Sequence, residues 1–130
     1  MSILKIKLKK CKKIIDSKGE LTVSELYKLF KFNIKRIFFV FGKKNITRGK
    51  HAHKTCNQII FLISGSVEVM ISDGANSKRI LLNKLGQYVV IYKKIWSEQK
   101  FLTSNSKILV CCDKAYDKKD YIYNLKDLSR

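Results

Sequence analysis

Two histidines, His51 and His53, stand one residue apart in the run RGKHAHKTCNQIIFLISG, and the chain holds no others. Residues i and i+2 of a strand leave the same face, so this spacing sets two imidazoles side by side on one wall. Such a pair can ligate a divalent metal if further donors join it. It can also move protons, because a reference pKa of about 6.5 leaves donor and acceptor forms populated near neutrality. Or it can occupy an exposed strand with no role. The rest of the chain offers a metal little. There is no third histidine, and Cys11, Cys56, Cys111 and Cys112 form no C-x-x-C pair. Adjacent strand residues such as Cys111 and Cys112 point to opposite faces, so neither a zinc knuckle nor a disulfide framework is indicated and reduced thiols are expected. Proton transfer is the favoured chemistry: a reaction that takes a proton from beside a carbonyl and returns one at the next carbon needs groups that both accept and donate.

The elements that must position the pair read as strands. RIFFVFG, NQIIFLISG, SVEVMIS, KRILLNKLG, YVVIY and SKILVCCD are short β-branched or aromatic runs, each bounded by Gly, Asn, Asp or Ser. Their spacing of about ten residues predicts an all-β antiparallel barrel or sandwich. Ser64-Gly65 and Asp73-Gly74 are the tightest turns expected. Before these runs, Ser24 to Phe30 predicts one or two helical turns with Ser24 as cap. After them, KAYDKKDYIYNLKDLSR reads as a short helical or irregular tail. Phe38, Phe39 and Phe41 are expected to pack the barrel, and a single domain over residues 1–130 is expected from the length.

A formal net charge of +18, from 28 basic and 10 acidic residues, attracts anions. The basic residues are spread along the chain and no nucleic-acid-binding signature appears, so nucleic acid is not the expected partner. The longest apolar run, Ile59 to Ile63, is far short of the roughly 20 residues that span a bilayer, and the N-terminus is too basic and broken for a secretory signal. A cytoplasmic protein without a membrane partner is expected.

His51, His53, Gln58 and Gly65 fit H-x-H-x4-Q-x6-G, which resembles the first motif of the cupins, small jelly-roll β-barrels. In metal-binding cupins the position of Gln58 is Glu, and a second motif supplies a further histidine where this chain has Ser97. The resemblance therefore implies a cupin without metal, and no cofactor is expected. KKIIDSKGEL, FNIKRIFFVFG, RGKHAHK, NQIIFLISGSVEVMISDG and YDKKDYI together resemble the sugar 3,4-ketoisomerases, cupins acting on dTDP-4-keto-6-deoxyglucose. The likeness runs from about Lys12 to Tyr123.

That resemblance implies removal of a proton from C3 of a 4-keto sugar, an enediol, and reprotonation at C4, giving a 3-keto sugar on the way to a 3-amino sugar of a surface glycan. It implies His51 and His53 as the proton shuttle, with His53 expected as the base and the reverse order left open. Arg48 and Lys54 are expected to stabilise the enediolate, Lys18 and Arg36 to meet the diphosphate, and Gln58 to offer its amide. Trp96 is expected near the thymine or in the core. Lys18 stands where relatives have arginine, and Phe38 and Phe39 where they often have tyrosine; Tyr88 or Tyr92 is expected to supply a missing hydroxyl. A homodimer exchanging N-terminal strands is implied, with the SILKIKLKK segment as an edge or exchanged strand. Two alternatives stay open: a non-catalytic cupin binding a nucleotide sugar, and a related dTDP-sugar epimerase.

Overall fold

A computed structural model describes residues 2–26, 28 and 31–128. After a 3-10 turn at Ile3–Lys5, the strands in chain order are β1 Lys9–Lys10, β2 Lys12–Asp16, β3 Gly19–Val23, β4 Arg36–Phe41, β5 Thr47–His53, β6 Gln58–Ser64, β7 Val67–Ser72, β8 Ser77–Leu82, β9 Gln87–Ile91, β10 Trp96–Phe101, β11 Lys107–Cys112 and β12 Tyr121–Ile122. They form two five-stranded sheets, β1-β9-β6-β11-β4 and β12-β5-β10-β7-β8, and a separate hairpin of β2 and β3. Every pairing is antiparallel. This is the all-β, cupin-like barrel expected.

The two sheets share one core. Ile60, Leu62, Val89, Ile91, Ile108 and Val110 from one sheet join Val67, Val69, Ile71, Ile80, Leu82 and Phe101 from the other. Ile59, Tyr88, Val90 and Cys111 instead point outward and are covered by Leu26 and Phe32. The central strand β6 is therefore apolar on both faces, which is why its sequence runs without alternation. Cys111 and Cys112 fall into opposite clusters, as strand geometry requires, and all four cysteines are free thiols. At Gly42 a Cβ would stand 2.1 Å from the Phe101 ring, so only glycine lets this fully buried ring close the barrel beside β4.

Several expectations change. β10 is a full strand that the polar text WSEQKF did not announce. In β4 only Phe38 and Val40 pack against the core, while Ile37, Phe39 and Phe41 are 53%, 60% and 70% exposed on the other face. Of its two expected places the SILKIKLKK segment takes the edge one: Ile3 and Ile6 are buried in the shared core and Lys9–Lys10 pairs with β9 at the end of that sheet. The element left without a sheet is the β2–β3 hairpin, exposed at nine of its ten strand positions. Leu26 and Lys28 are helical, whereas Tyr27, Leu29 and Phe30 of the expected helical turns lie outside the described residues.

Candidate active site

The barrel opens between the edge strand β4 and the β5–β12 side of the facing sheet. A cavity of about 440 Å³ there is lined by Phe38, Arg48, His51, Gln58, Ser97, Gln99 and Tyr121, with Ile60, Ile108 and Val110 among its apolar walls. Alternation accounts for most of this set. Gln58 and Ile60 share a face of β6, Ser97 and Gln99 share a face of β10, and Ile108 and Val110 share a face of β11.

Arg48 and His51 break that rule, being three residues apart and so on opposite faces of a regular strand. A bulge reconciles them. Gly49 (φ 89°) and Lys50 (φ 60°) are both left-handed, and Ser97 pairs with His51 while Glu98 pairs with Gly49, leaving Lys50 without a partner. The extra residue turns Arg48 onto the cavity face beside His51. Gly49 is required at the corner: a Cβ there would lie 2.8 Å from Gln99 Oε1 and 3.0 Å from the Ser97 carbonyl.

The two imidazoles meet edge to face with centroids 5.0 Å apart. His51 Nδ1 lies 3.1 Å from the Gly49 carbonyl, which can only accept, so Nδ1 carries the proton and Nε2 is left with a free lone pair. His53 Nδ1 lies 3.1 Å from Asp120 Oδ2, with the same consequence for its Nε2, which is buried and has no hydrogen-bond partner. Both rings are held below the ordinary imidazole range. For His51 the cause is burial, opposed by the Gly49 carbonyl and aided by Arg36; for His53 it is burial and then the neighbouring His51, opposed by Asp120. Neutral imidazoles with a bare Nε2 are general bases.

Asp120 lies within the YDKKDYI motif, whose spacing alone gives it no role. Its carboxylate accepts from Thr55 N at 2.8 Å, Thr55 Oγ1 at 2.7 Å and Cys56 N at 3.2 Å besides His53. Burial opposes its ionisation, yet the Thr55 hydroxyl and amide, His53 and the Cys56 amide outweigh it and hold the carboxyl below its usual range. The tail, expected to be short helical or irregular, supplies a 3-10 turn, Lys118–Asp120, and also the two-residue strand β12, where Tyr121 pairs with His53.

Of the residues expected at the site, His51, Arg48 and Gln58 line the cavity. Gln58 Nε2 donates to Cys112 Sγ at 3.3 Å, which fixes the amide in the floor. His53 is 4% exposed and stands behind His51 rather than on the lining. Arg36 is half-buried between the Phe38 and Tyr116 rings, each 5.5 Å away, and beside the Tyr121 hydroxyl and Cys112. Lys54 and Lys18 lie elsewhere, and Trp96 takes the second of its two expected places, the interior. Lys54 follows His53 and is exposed, outside the lining, its amide bonded to the Asp120 carbonyl. Trp96 precedes cavity-facing Ser97, so alternation turns it away; it is buried, with Nε1 donating to Glu98 Oε2 at 2.9 Å. Lys18, in the β2–β3 turn, is exposed and outside the lining. Tyr88 and Tyr92 pack in the hydrophobic clusters and stand outside the lining, whereas Tyr121 is on it.

Ser97 pairs directly with His51, at the position where a further histidine would complete a metal centre. With a serine there, and with the Gln58 amide turned to Cys112, the donor set does not fit a divalent metal. Among the described residues no three His, Cys, Asp or Glu side chains converge on such a site, and no helix is long and apolar enough to cross a membrane.

Fold and site together define a cupin-like barrel with a cationic, histidine-bearing cavity. Residues 4–130 match the family described as FdtA, WxcM-like, C-terminal. The TDP-4-oxo-6-deoxy-alpha-D-glucose-3,4-oxoisomerase of Aneurinibacillus thermoaerophilus is 35% identical over 112 residues, covering 85% of this chain and 81% of that protein. A 3,4-ketoisomerase from Helicobacter canadensis superposes with a TM-score of 0.87 at 31% identity, covering 95% and 94% of the two chains. QdtA, a sugar 3,4-ketoisomerase from Thermoanaerobacterium thermosaccharolyticum solved with TDP, gives 0.87 at 32% identity, covering 97% and 95%. The chain belongs to the sugar 3,4-ketoisomerase family and is an isomerase.

Proposed function

We propose that this chain converts dTDP-4-keto-6-deoxyglucose to the corresponding 3-keto sugar, with His51 as the base that removes the C3 proton. The observation that carries this reading is the neutral imidazole on the cavity wall, its Nδ1 committed to the Gly49 carbonyl and its Nε2 free. His53, fixed by Asp120 and in contact with His51, is the second proton carrier of the pair. This reverses the order expected from the sequence, because the buried ring of His53 lies behind His51. Arg48 meets the charge that develops on the 4-oxygen, where a ready donor is worth several kcal/mol at about 2.7–4. Gln58 orients the sugar. The substrate follows from what the relatives are named for, and its nucleotide suits a strongly basic protein acting in the cytoplasm. A 3-keto product calls for an aminotransferase next, and a surface glycan is a fitting destination.

The test is incubation with dTDP-4-keto-6-deoxyglucose in deuterated water with chelator, followed by NMR. The expected result is deuterium at C3 of the recovered substrate and accumulation of the 3-keto sugar. Retention of the 4-keto group with inversion at a ring carbon would make the chain an epimerase, and tight binding with neither exchange nor product would make it a sugar-nucleotide binder.

A homodimer with exchanged elements belongs to the same proposal. Apolar side chains of the β4 edge strand (Ile37, Phe39, Phe41) and of the hairpin (Ile15 at 68%, Leu21 at 55%) are open to water, a cost that a partner removes at about 25 cal/mol per Å². The hairpin, rather than the SILKIKLKK segment, is the element free to cross, and it would carry Lys18 toward a partner's cavity and the diphosphate. Sedimentation at twice the single-chain mass of 15.1 kDa is expected; a monomer at working concentration would end this part of the reading.

A further inference from the structure

Cys112 is a buried sulfur that the isomerisation does not use, and the sheet gives it polar neighbours. Along β4, β11 and β6 the register sets Arg36 opposite Cys112 and Cys112 opposite Gln58. Directly opposed residues share a face, so the three side chains form one row on the cavity side of the sheet. Gln58 Nε2 donates to Cys112 Sγ at 3.3 Å, and the Arg36 guanidinium lies against the same sulfur from the other side. The fourth member is Cys56. It stands just before β6, two residues from Gln58 and so on the same side of the chain. Its thiol hydrogen is shared between the Asn57 carbonyl, at 3.4 Å, and Cys112 Sγ. Both cysteines belong to the shared core and both are free.

A thiol, an amide and a guanidinium all present hydrogen to one sulfur, and each favours its anion. Cys112 is accordingly held well below the ordinary thiol range, by the Cys56 thiol first and then by Gln58 and Arg36, with burial opposing them. Cys56, the donor, is pushed up, and burial adds to the effect. Cys11 and Cys111 are pushed up as well, each by burial. One nucleophilic sulfur thus touches one protonated thiol, the arrangement of an oxidisable cysteine and its resolving partner. Hydrogen peroxide is little larger than water, and the cavity leads it to Gln58, whose amide is in contact with Cys112 Sγ.

We infer that Cys112 and Cys56 form a dithiol site for small hydroperoxides, whose closure to a disulfide unseats Gln58 and stops turnover. The Cys112 thiolate attacks one peroxide oxygen: an S–O bond forms, the O–O bond breaks, and the departing hydroxide becomes water with the proton that Cys112 had released. The Cys56 sulfur then attacks Cys112 Sγ, the S–S bond forms, the S–O bond breaks, and hydroxide leaves with the Cys56 proton as a second water. The two sulfurs give up two electrons and the peroxide takes them. Closure draws Cys112 Sγ away from the Gln58 amide. The two cysteines are diagonal neighbours, with Cα atoms about 7–8 Å apart in a regular pair, whereas a disulfide spans no more than about 7 Å. The irregular stretch of Cys56 and Asn57 must therefore shift, which makes the bond strained and readily reduced.

The test exposes the purified chain to millimolar hydrogen peroxide, with peptide mass mapping of the thiols and the deuterium assay run side by side. The activity readout rests on the isomerisation proposed above; the mapping does not. Expected is a Cys56–Cys112 disulfide with Cys11 and Cys111 still free. Isomerisation is expected to fall by about tenfold or more and to return with dithiothreitol, since small displacements of a positioning group carry costs of this size. Cys56→Ser removes the resolving thiol without touching the cavity lining. There the same treatment is expected to leave a dimedone-reactive sulfenic acid on Cys112 and no bond within the chain. A parent that keeps all four thiols overturns the inference, and so does a bond through Cys11 or Cys111 instead. A mapped Cys56–Cys112 bond with isomerisation unimpaired overturns the link to Gln58 and turnover. If the untreated chain neither exchanges nor isomerises, the proposed reaction has failed instead, and the mapped bond alone decides the dithiol.

Discussion

Replacing His51 by asparagine is expected to lower both C3 exchange and isomerisation by about 10³-fold, within the range for loss of a positioned general base. Asparagine is close to histidine in reach, and its amide can still donate to the Gly49 carbonyl that now holds Nδ1. Binding of the nucleotide sugar should therefore survive, and the loss should fall on kcat rather than KM. His53→Asn is expected to reduce turnover as well, but by less, because that ring stands behind the lining. Exchange rates for the two variants read the order directly. A larger loss in His53→Asn would restore that residue as the base, and turnover surviving His51→Asn would remove His51 from the proton path.

Asp120→Ala is expected to cost about 3–5 kcal/mol of stability, the scale for breaking a buried charged hydrogen-bond cluster by removing one partner. It would strand the Thr55 and Cys56 amides and the His53 Nδ1 proton, all of which the carboxylate now accepts. Denaturant unfolding reads this, and a change below about 1 kcal/mol would mean that water replaces the carboxylate freely. Asp120→Asn keeps the shape and tests the charge. The negative charge favours the His53 imidazolium, so its loss lowers the pKa of His53 further and moves the acid limb of activity to lower pH. Stability follows a separate rule. Because the folded state holds the Asp120 carboxyl below its ordinary value, its contribution is complete above the unfolded pKa of about 3.9 and is lost as pH falls through the folded one. The parent should therefore lose more stability on acidification below pH 4 than Asp120→Asn does.

What was legible in the residues divides along physical lines. Apolar strands announce themselves because burial on a pleated sheet selects β-branched and aromatic side chains, so β4, β6, β7, β9 and β11 are legible nearly to the residue, while the KRILLNKLG run carries β8 past its end at Leu82. β10 and β12 are not legible. Their cavity-facing positions are Ser97, Gln99 and Tyr121, and the polar groups that make a site are the ones that erase the apolar alternation by which a strand is recognised. The same reasoning explains the Phe39 and Phe41 expectation: composition says that an aromatic is apolar, and only the sheet says which face it occupies.

By itself, the sequence determined the fold class, the reaction family and the shared face of His51 and His53, since these depend on local spacing and on ordered motifs along the chain. The tertiary structure alone decided which imidazole reaches the cavity, because that follows from the Gly49–Lys50 bulge and its register against Ser97. It also brought Asp120 and Tyr121 to the pair from 67 and 68 residues beyond His53, where no spacing rule reaches, since contact there is set by β12 docking on β5 rather than by the chain between them.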